Sequence, residues 1–377
     1  MNASEDMSRS IWTIPEGVQY ILTSIQCLIV TGTLLGNAGT IVAFYKVRSL
    51  REKPSDLFIL SLSCADLIMG CVITFTVPTY ALGYWVWGKT LCQLFATLAN
   101  IAVIAGILNT LMICWDRYLL ISKEYPKYVK MQSKHRVIGI ITVVWAYSVV
   151  SGFIEWIVWD IVNIPETVYE FDFTRECRSP PKHDFIYQTQ AFTLNGFLPL
   201  LGIEGLSVAF VVLLRRKLHK RMQVTDFEYS NTQSQQLQER GDQPGGSLTV
   251  SRSNVVHTSN NTLSGSTSGH RNIGVDSTNM LVNTRNAEHT SSNPKNRYVK
   301  AAITLAALVI ALNLCLLPFI LYTLYVSLVC PICSDRLIRD ILSNIVVPLN
   351  SCLNPILYAA TMSKIKRFYK RLFGLTG

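Results

Sequence analysis

CQLFATLANIAVIAGILNTLMICWDRYLLI, residues Cys92 to Ile121, carries no charged residue from Cys92 to Trp115 and then closes on Cys114-Trp115-Asp116-Arg117-Tyr118. A helix of about 20 apolar residues crosses the hydrocarbon of a bilayer, so this stretch reads as a span that delivers an acid and a base to one membrane face. A charge pair at the membrane edge is costly without partners and marks a functional-site candidate. The tripeptide alone also occurs in soluble helices, so its meaning rests on what surrounds it.

The same apolar pattern recurs outward in both directions. Of the 377 residues, 49% are hydrophobic and only 15% charged, with the charges gathered in short runs, as in a polytopic membrane protein. A net charge of +10 would suggest nucleic acid in a soluble protein. Here the basic residues flank apolar runs, so they read as topological signals, and no nucleic-acid partner is expected. Hydropathy places seven spans at about 18–46, 56–81, 90–122, 137–161, 186–214, 298–327 and 337–360, which predicts an all-α membrane protein built as a seven-helix transmembrane bundle.

Lys46, Arg48, Arg51 and Lys53 follow the first span, Lys123, Lys127, Lys130, Lys134 and Arg136 the third, and Arg215, Arg216, Lys217, Lys220 and Arg221 the fifth. Those loops are expected on the cytoplasmic side, which puts the amino terminus outside. The alternate loops hold Lys89 alone and then Asp160, Glu166, Glu170, Asp172 and Glu176. Residues 1–16 form a polar outer tail in which Asn2-Ala3-Ser4 is an acceptor for N-glycosylation. The first apolar run is too long for the core of a cleavable signal peptide, so none is expected.

Asn37, Asp66, Asn109, Asn350, Ser351 and Asn354 fall inside spans, where polar groups are tolerated when they face one another. Single Asn and Ser residues are explained by helix–helix adhesion. Asp66 needs more: a cation, a proton or several donors. Of ten cysteines, Cys27, Cys64, Cys71, Cys114, Cys315 and Cys352 lie in spans and read as packing residues. Cys92 and Cys177 both reach the oxidising outer side, where a disulfide tying loop to helix is the economical reading. Cys330-Pro331-Ile332-Cys333 lacks a second ligand pair for zinc, which favours a local Cys330–Cys333 disulfide.

Residues 222–296 are rich in Ser, Thr, Asn, Gln and Gly without any helical or strand period, the composition of a disordered loop. Such a loop is either a tether or a phosphorylatable segment, with Ser264 to Ser268 and Ser291-Ser292 as candidate sites. Beyond the seventh span, Lys364, Lys366, Arg367, Lys370 and Arg371 alternate with Ile365, Phe368, Tyr369 and Leu372, predicting an amphipathic helix on the lipid bilayer surface. The expected organisation is an outer tail (1–16), spans one to five (17–221), a disordered inner loop (222–296), spans six and seven (297–360), and an amphipathic helix with a short cytoplasmic tail (361–377).

In order along the chain, Gly36-Asn37, Leu62-Ser63-Cys64-Ala65-Asp66, Trp85-Val86-Trp87-Gly88 before Cys92, Asp116-Arg117-Tyr118, Trp145, Pro199, Pro318 and Asn354-Pro355-Ile356-Leu357-Tyr358 resemble the motifs of the rhodopsin-like G-protein-coupled receptors. The resemblance covers nearly everything outside 1–16 and 222–296. It implies a plasma-membrane receptor in which an extracellular small-molecule ligand is coupled to a heterotrimeric G protein. Asp116, Arg117, Tyr118, Asn354, Pro355 and Tyr358 would carry the coupling, and arrestin and a receptor kinase would act through 222–296. It also implies an allosteric sodium ion at Asp66 within a network of Asn37, Asn350, Ser351 and Asn354, with Gly106 where the family often has Ser.

The look of the seventh span, the paired outer cysteines, the long inner loop and the short tail are nearest to the amine branch, especially muscarinic and histamine receptors. The departures are specific. The acid that pairs with an amine in that branch is Ala99, so Glu155 or Asp160 would have to replace it, and the implied pocket is lined by Ala99, Asn100, Val103, Asn195, Phe319, Ile320, Thr323 and Asn344. The aromatic switch before Pro318 is Leu316, the Phe below it Leu312, and the fifth-helix Tyr is Ser207, with an unusual acid, Glu204, in that span. The acid near the start of the sixth helix is Tyr298, among Asn296, Arg297 and Lys300, which predicts ligand-independent signalling. A peptide- or lipid-responsive or constitutively active receptor of the same fold is the alternative. A retinal protein would need a seventh-span lysine, absent from Ile338 to Met362. A transporter would show internal repeats, and an enzyme would show a nucleophile–base pair or metal cluster; neither pattern is present in the sequence.

Overall fold

The computed structural model describes residues 15–161, 177, 193–241, 294–329 and 336–374, and among these every regular element is a helix. Hydrocarbon offers no partner to a backbone N–H or C=O, so a spanning chain satisfies these groups within itself. Seven of the described helices are long and apolar enough to cross a membrane: Glu16–Lys46, Pro54–Leu82, Gly88–Ser122, Lys134–Ile154, Thr193–Lys220, Ala302–Val326 and Leu337–Thr361. They are called the first to seventh spans below. An all-α, seven-span membrane fold is therefore what the chain adopts.

The second span packs between the first and third, the fourth lies against the third, and the seventh closes on the first and second. Because lipid tails are as apolar as leucine, packing and hydrogen bonds hold such helices together. Gly36 shows the packing: a Cβ there would sit 2.8 Å from the Pro355 ring, so only a glycine lets the first and seventh spans approach this closely. Trp145 shows the bonding, its indole N–H donating to Ser61 Oγ at 3.0 Å and joining the fourth span to the second. Deeper toward the Arg117 end, Phe44, Leu50, Phe58, Leu62, Ile113, Tyr358 and Ile365 form one fully buried cluster.

At the opposite end Gly83, with φ at 78°, turns the chain out of the second span in a left-handed conformation suited to glycine. Trp85 is buried there, its N–H donating to the Gly88 carbonyl at 2.9 Å. Cys92 and Cys177 form the expected disulfide, with Cα atoms 5.3 Å apart across 85 residues of sequence. By loop entropy such a crosslink stabilises the fold by about 4–5 kcal/mol. Cys330 and Cys333, Asn2, and the side chains of Glu155 and Asp160 lie outside the described residues.

Two compact units divide the chain, one made of Met1–Leu214 and Tyr298–Gly377, which holds six spans and the fifth as far as Leu214, and the other running from Arg215 to Arg297. In the second, the expectation of structureless chain from residue 222 needs correction. The helix that begins at Leu198 continues to Gly241, and another begins at Pro294. Residues 228–241 are rich in Gln and contain Glu228, Glu239 and Arg240, good helix formers that extend an existing helix without any apolar stripe to give a period. Residues 242–293 lie outside the described residues.

The helix Ser363–Leu372 follows the seventh span. Ile365 is fully buried, while Lys366, Arg367, Lys370 and Arg371 are exposed. Tyr369 donates to the Gly36 carbonyl at 2.8 Å and lies 3.2 Å from Thr40 Oγ1, and Lys364 Nζ donates to the Ser49 carbonyl at 2.8 Å. This helix is thereby fixed to the first span and the loop after it.

Candidate functional site

At the end of the third span Asp116 is 1% exposed. Its Oδ2 lies 3.3 Å from Arg117 Nη1, and its Oδ1 accepts a hydrogen bond from the Tyr128 hydroxyl at 2.9 Å. Tyr128 sits on the short helix Tyr125–Met131, which Pro126 helps to start because its missing N–H falls in the first turn. Burial holds the Tyr128 hydroxyl well above the usual tyrosine range, and the Asp116 charge pushes the same way. Tyr118 packs beside Leu119, Leu120 and Tyr128 and stacks on Trp115 with ring centroids 5.7 Å apart.

Asp56, which the sequence reading passed over, adds a second buried acid to this end. It is 6% exposed and interacts electrostatically with Arg117, Lys53 and Lys364. Ser55 hydrogen-bonds to Tyr128, so the start of the second span, the end of the third and the helix after it form one polar knot around Arg117. Lys364 is pulled below the ordinary lysine range by partial burial and then by Lys53, with Asp56 opposing. The signal for Asp56 was present in retrospect, since an acid beside Lys53 and Arg51 at the end of an apolar span requires a partner.

The mid-span network forms in part. Asn354 Nδ2 donates to Asp66 Oδ2 at 2.8 Å, Ser351 also hydrogen-bonds to Asp66, and Asn37 Nδ2 donates to the Ser351 carbonyl at 3.0 Å. Asn109 does not join by hydrogen bond, because its amide donates to Ala105 in its own helix at 2.8 Å. Beside Asp66 lies a cavity of about 30 Å3 walled by Gly106, Leu312, Leu316, Asn350 and Ser351, above the roughly 10–15 Å3 that admits one water. Asn350 Oδ1 is buried there with no hydrogen-bond partner. Pro355 and Tyr358 are buried on the seventh span just beyond.

Several of the residues expected to line one outer pocket bond elsewhere in the bundle. Asn195 accepts from the Tyr147 hydroxyl at 2.7 Å, which ties it to the fourth span. Asn344 hydrogen-bonds to Tyr80 of the second span, whose hydroxyl also donates to the Asp340 carbonyl at 2.9 Å. Thr323 donates to the Phe319 carbonyl one turn back at 2.8 Å, and Ile320 is buried in the cluster of Leu200, Ile203 and Leu316. Ala99, Asn100 and Val103 are half-buried on the third span, and Val103 reaches the cavity beside Asp66. Rotation of each helix about its own axis decides these facings, and hydropathy does not report it.

One further polar pair was not foreseen. Asn313 Nδ2 of the sixth span donates to Glu204 Oε1 of the fifth at 2.6 Å. The family model described as 7 transmembrane receptor (rhodopsin family) matches residues 36–358. The chain belongs to that family. Members of this rhodopsin family are receptors rather than enzymes, and as one of them this receptor is a multi-pass membrane protein. Among its relatives, the Alpha-2Da adrenergic receptor of Danio rerio is 33% identical over 147 residues, 39% of this chain and 36% of the relative. The Alpha-2 adrenergic receptor of Carassius auratus is 31% identical over 156 residues, 40% of this chain and 35% of the relative. The receptor thus spans little more than a third of the length of the relatives it matches.

Proposed function

We propose that this rhodopsin-family receptor sits in the plasma membrane with its amino terminus outside and converts binding of an extracellular small molecule into activation of a heterotrimeric G protein. The observation that carries this reading is the Asp116–Arg117 pair at 3.3 Å, held by Tyr128 at the end of a span. A guanidinium left 14% exposed beside one buried acid is restrained and still available, because its N–H groups can be re-paired by backbone carbonyls of an inserted partner helix. Pro199, Pro318 and Pro355 each remove a backbone hydrogen bond, so the helices that carry them can bend. Arrestin and a receptor kinase acting through 222–296, glycosylation at Asn2, and the Cys330–Cys333 bond belong to the same proposal.

Two adrenergic receptors stand among the relatives, which supports a small amine-like ligand, while Ala99 supports a changed anchor. An ammonium buried without a counter-charge is strongly disfavoured. The pocket proposed from Ala99, Asn100, Val103, Asn195, Phe319, Ile320, Thr323 and Asn344 therefore binds its ligand mainly by shape and neutral hydrogen bonds. For sodium, the Asp66 carboxylate, the Ser351 hydroxyl and the partnerless Asn350 Oδ1 form an oxygen set suited to a hard cation. Gly106 adds no ligand, so the site would be completed by water. Screening G-protein activation in cells against amines, peptides and lipids tests the reading; a surface-expressed receptor that never promotes nucleotide exchange overturns it.

A further inference from the structure

Glu204 is an acid within an apolar span, and an intramembrane carboxylate marks function when its partner can be named. Its partner is Asn313, whose amide donates at 2.6 Å and also to the Val309 carbonyl at 2.9 Å. Ile203, next to Glu204, and Val309, Leu312 and Leu316, on the helix of Asn313, are buried in one apolar cluster. Ser207, one turn along, is committed to the Ile203 carbonyl at 2.7 Å. Apolar residues of similar size would hold two helices together as well or better, so adhesion alone does not account for a carboxylate here.

The position of the pair supplies the account. Glu204 lies five residues after Pro199 and Asn313 five residues before Pro318. The two spans run in opposite directions, so both groups lie about 7–8 Å beyond their prolines, on the same side as Arg117. Pro318 cannot donate to the Leu314 carbonyl, which frees the sixth helix to bend between Asn313 and its outer half. The bond therefore joins the two segments that a bend would separate. We propose that the Glu204–Asn313 hydrogen bond is a latch that holds the Arg117-side halves of the fifth and sixth spans together in the resting receptor and opens when the G protein engages. Its carboxylate is a positioning group that acts through the sixth helix, in a chain whose sixth-helix acid position is Tyr298. The inference rests on the receptor reading above.

The test places paired spectroscopic labels, as unnatural amino acids, at lipid-exposed Ile138 and Ile303 in the full chain in nanodiscs, and measures their distance distribution with no G protein present. Wild type is expected to show one dominant short distance. Glu204→Leu and Asn313→Leu should each raise the long-distance fraction by about three- to tenfold, the double variant no further than either single one. Glu204→Gln, whose amide oxygen still accepts, should remain near wild type. Where a leucine variant fails to fold, Asn313→Asp, close in shape and repelling Glu204, takes its place with the same expected rise. Unchanged distances in folded variants, or effects that multiply in the double variant, overturn the latch. A widened distribution without any nucleotide exchange upholds the latch and overturns the G-protein reading, whereas unchanged distances beside normal exchange overturn the latch alone.

Discussion

Tyr128 donates its hydroxyl at 2.9 Å to the buried carboxylate of Asp116, twelve residues earlier in the chain. The bond makes the helix Tyr125–Met131 part of the Arg117 site and leaves that site dependent on a neutral phenol. Tyr128→Phe leaves Asp116 Oδ1 without a donor in a place with no water access, which costs about 1–3 kcal/mol. A thermal melt of the purified receptor in nanodiscs should fall by several degrees, and a melt equal to that of wild type counts against the bond.

The same hydroxyl gives a pH signature. Its folded-state pKa lies above the unfolded value of about 10, because burial disfavours the phenolate. Its contribution is then complete below pH about 10 and declines as pH rises from there through the folded pKa. The stability gap between wild type and Tyr128→Phe should be constant from pH 6 to 9 and shrink above about 10. A gap that instead shrinks on acidification would assign the effect to another group.

Asp56 and Asp116 both act on Arg117, and Tyr298 offers no third acid. Asp56→Asn should raise ligand-independent nucleotide exchange by about two- to fivefold, since removing one charge from a partly desolvated pair shifts a two-state equilibrium by a fraction of a kcal/mol to about 1. Tyr298→Glu should lower it. Equal basal rates in all three proteins at matched surface expression would remove Asp56 from the restraint.

Gly106 faces the cavity beside Asp66, and a Cβ there would meet only Leu62 Cδ1 at 3.9 Å. Serine therefore fits and adds an oxygen near Asp66. Sodium added at constant ionic strength should raise the melting temperature of Gly106→Ser more than that of wild type, and should do nothing for Asp66→Asn. Potassium is the control, and equal shifts with both ions argue against a specific site.

How far the sequence carried these points depends on the kind of information each requires. Span existence is set by composition alone, so all seven were legible, as was the Cys92–Cys177 bond from compartment and position. Asp66 with Asn354 was legible because a lone acid in hydrocarbon demands a donor. The facings of Asn195 toward Tyr147 and Asn344 toward Tyr80 were not, since helices apolar on all sides carry no periodic stripe to fix their rotation. Glu204 was noticed as odd, yet its partner Asn313 lies 109 residues away, a pairing that only helix register decides. The helix through Gly241 was hidden by a polar composition that supports helicity without a pattern.

Ala99 tests the ligand side. Ala99→Asp restores a counter-charge on the third span, and simple biogenic amines should then bind at least about tenfold more tightly, a gain of 1.4 kcal/mol or more. High affinity for such an amine in the unmodified receptor, surviving neutralisation of Glu155 and Asp160 together, would show that the anchor lies elsewhere.

The central claim is that Arg117 couples this bundle to a heterotrimeric G protein. The direct measurement is nucleotide exchange on purified G proteins of the main classes, catalysed by the purified receptor without ligand and compared with Arg117→Ala at equal folded concentration. The account predicts exchange above the receptor-free rate for at least one class, abolished by Arg117→Ala. Exchange indistinguishable from the receptor-free rate for every class, or exchange that Arg117→Ala leaves intact, would contradict it.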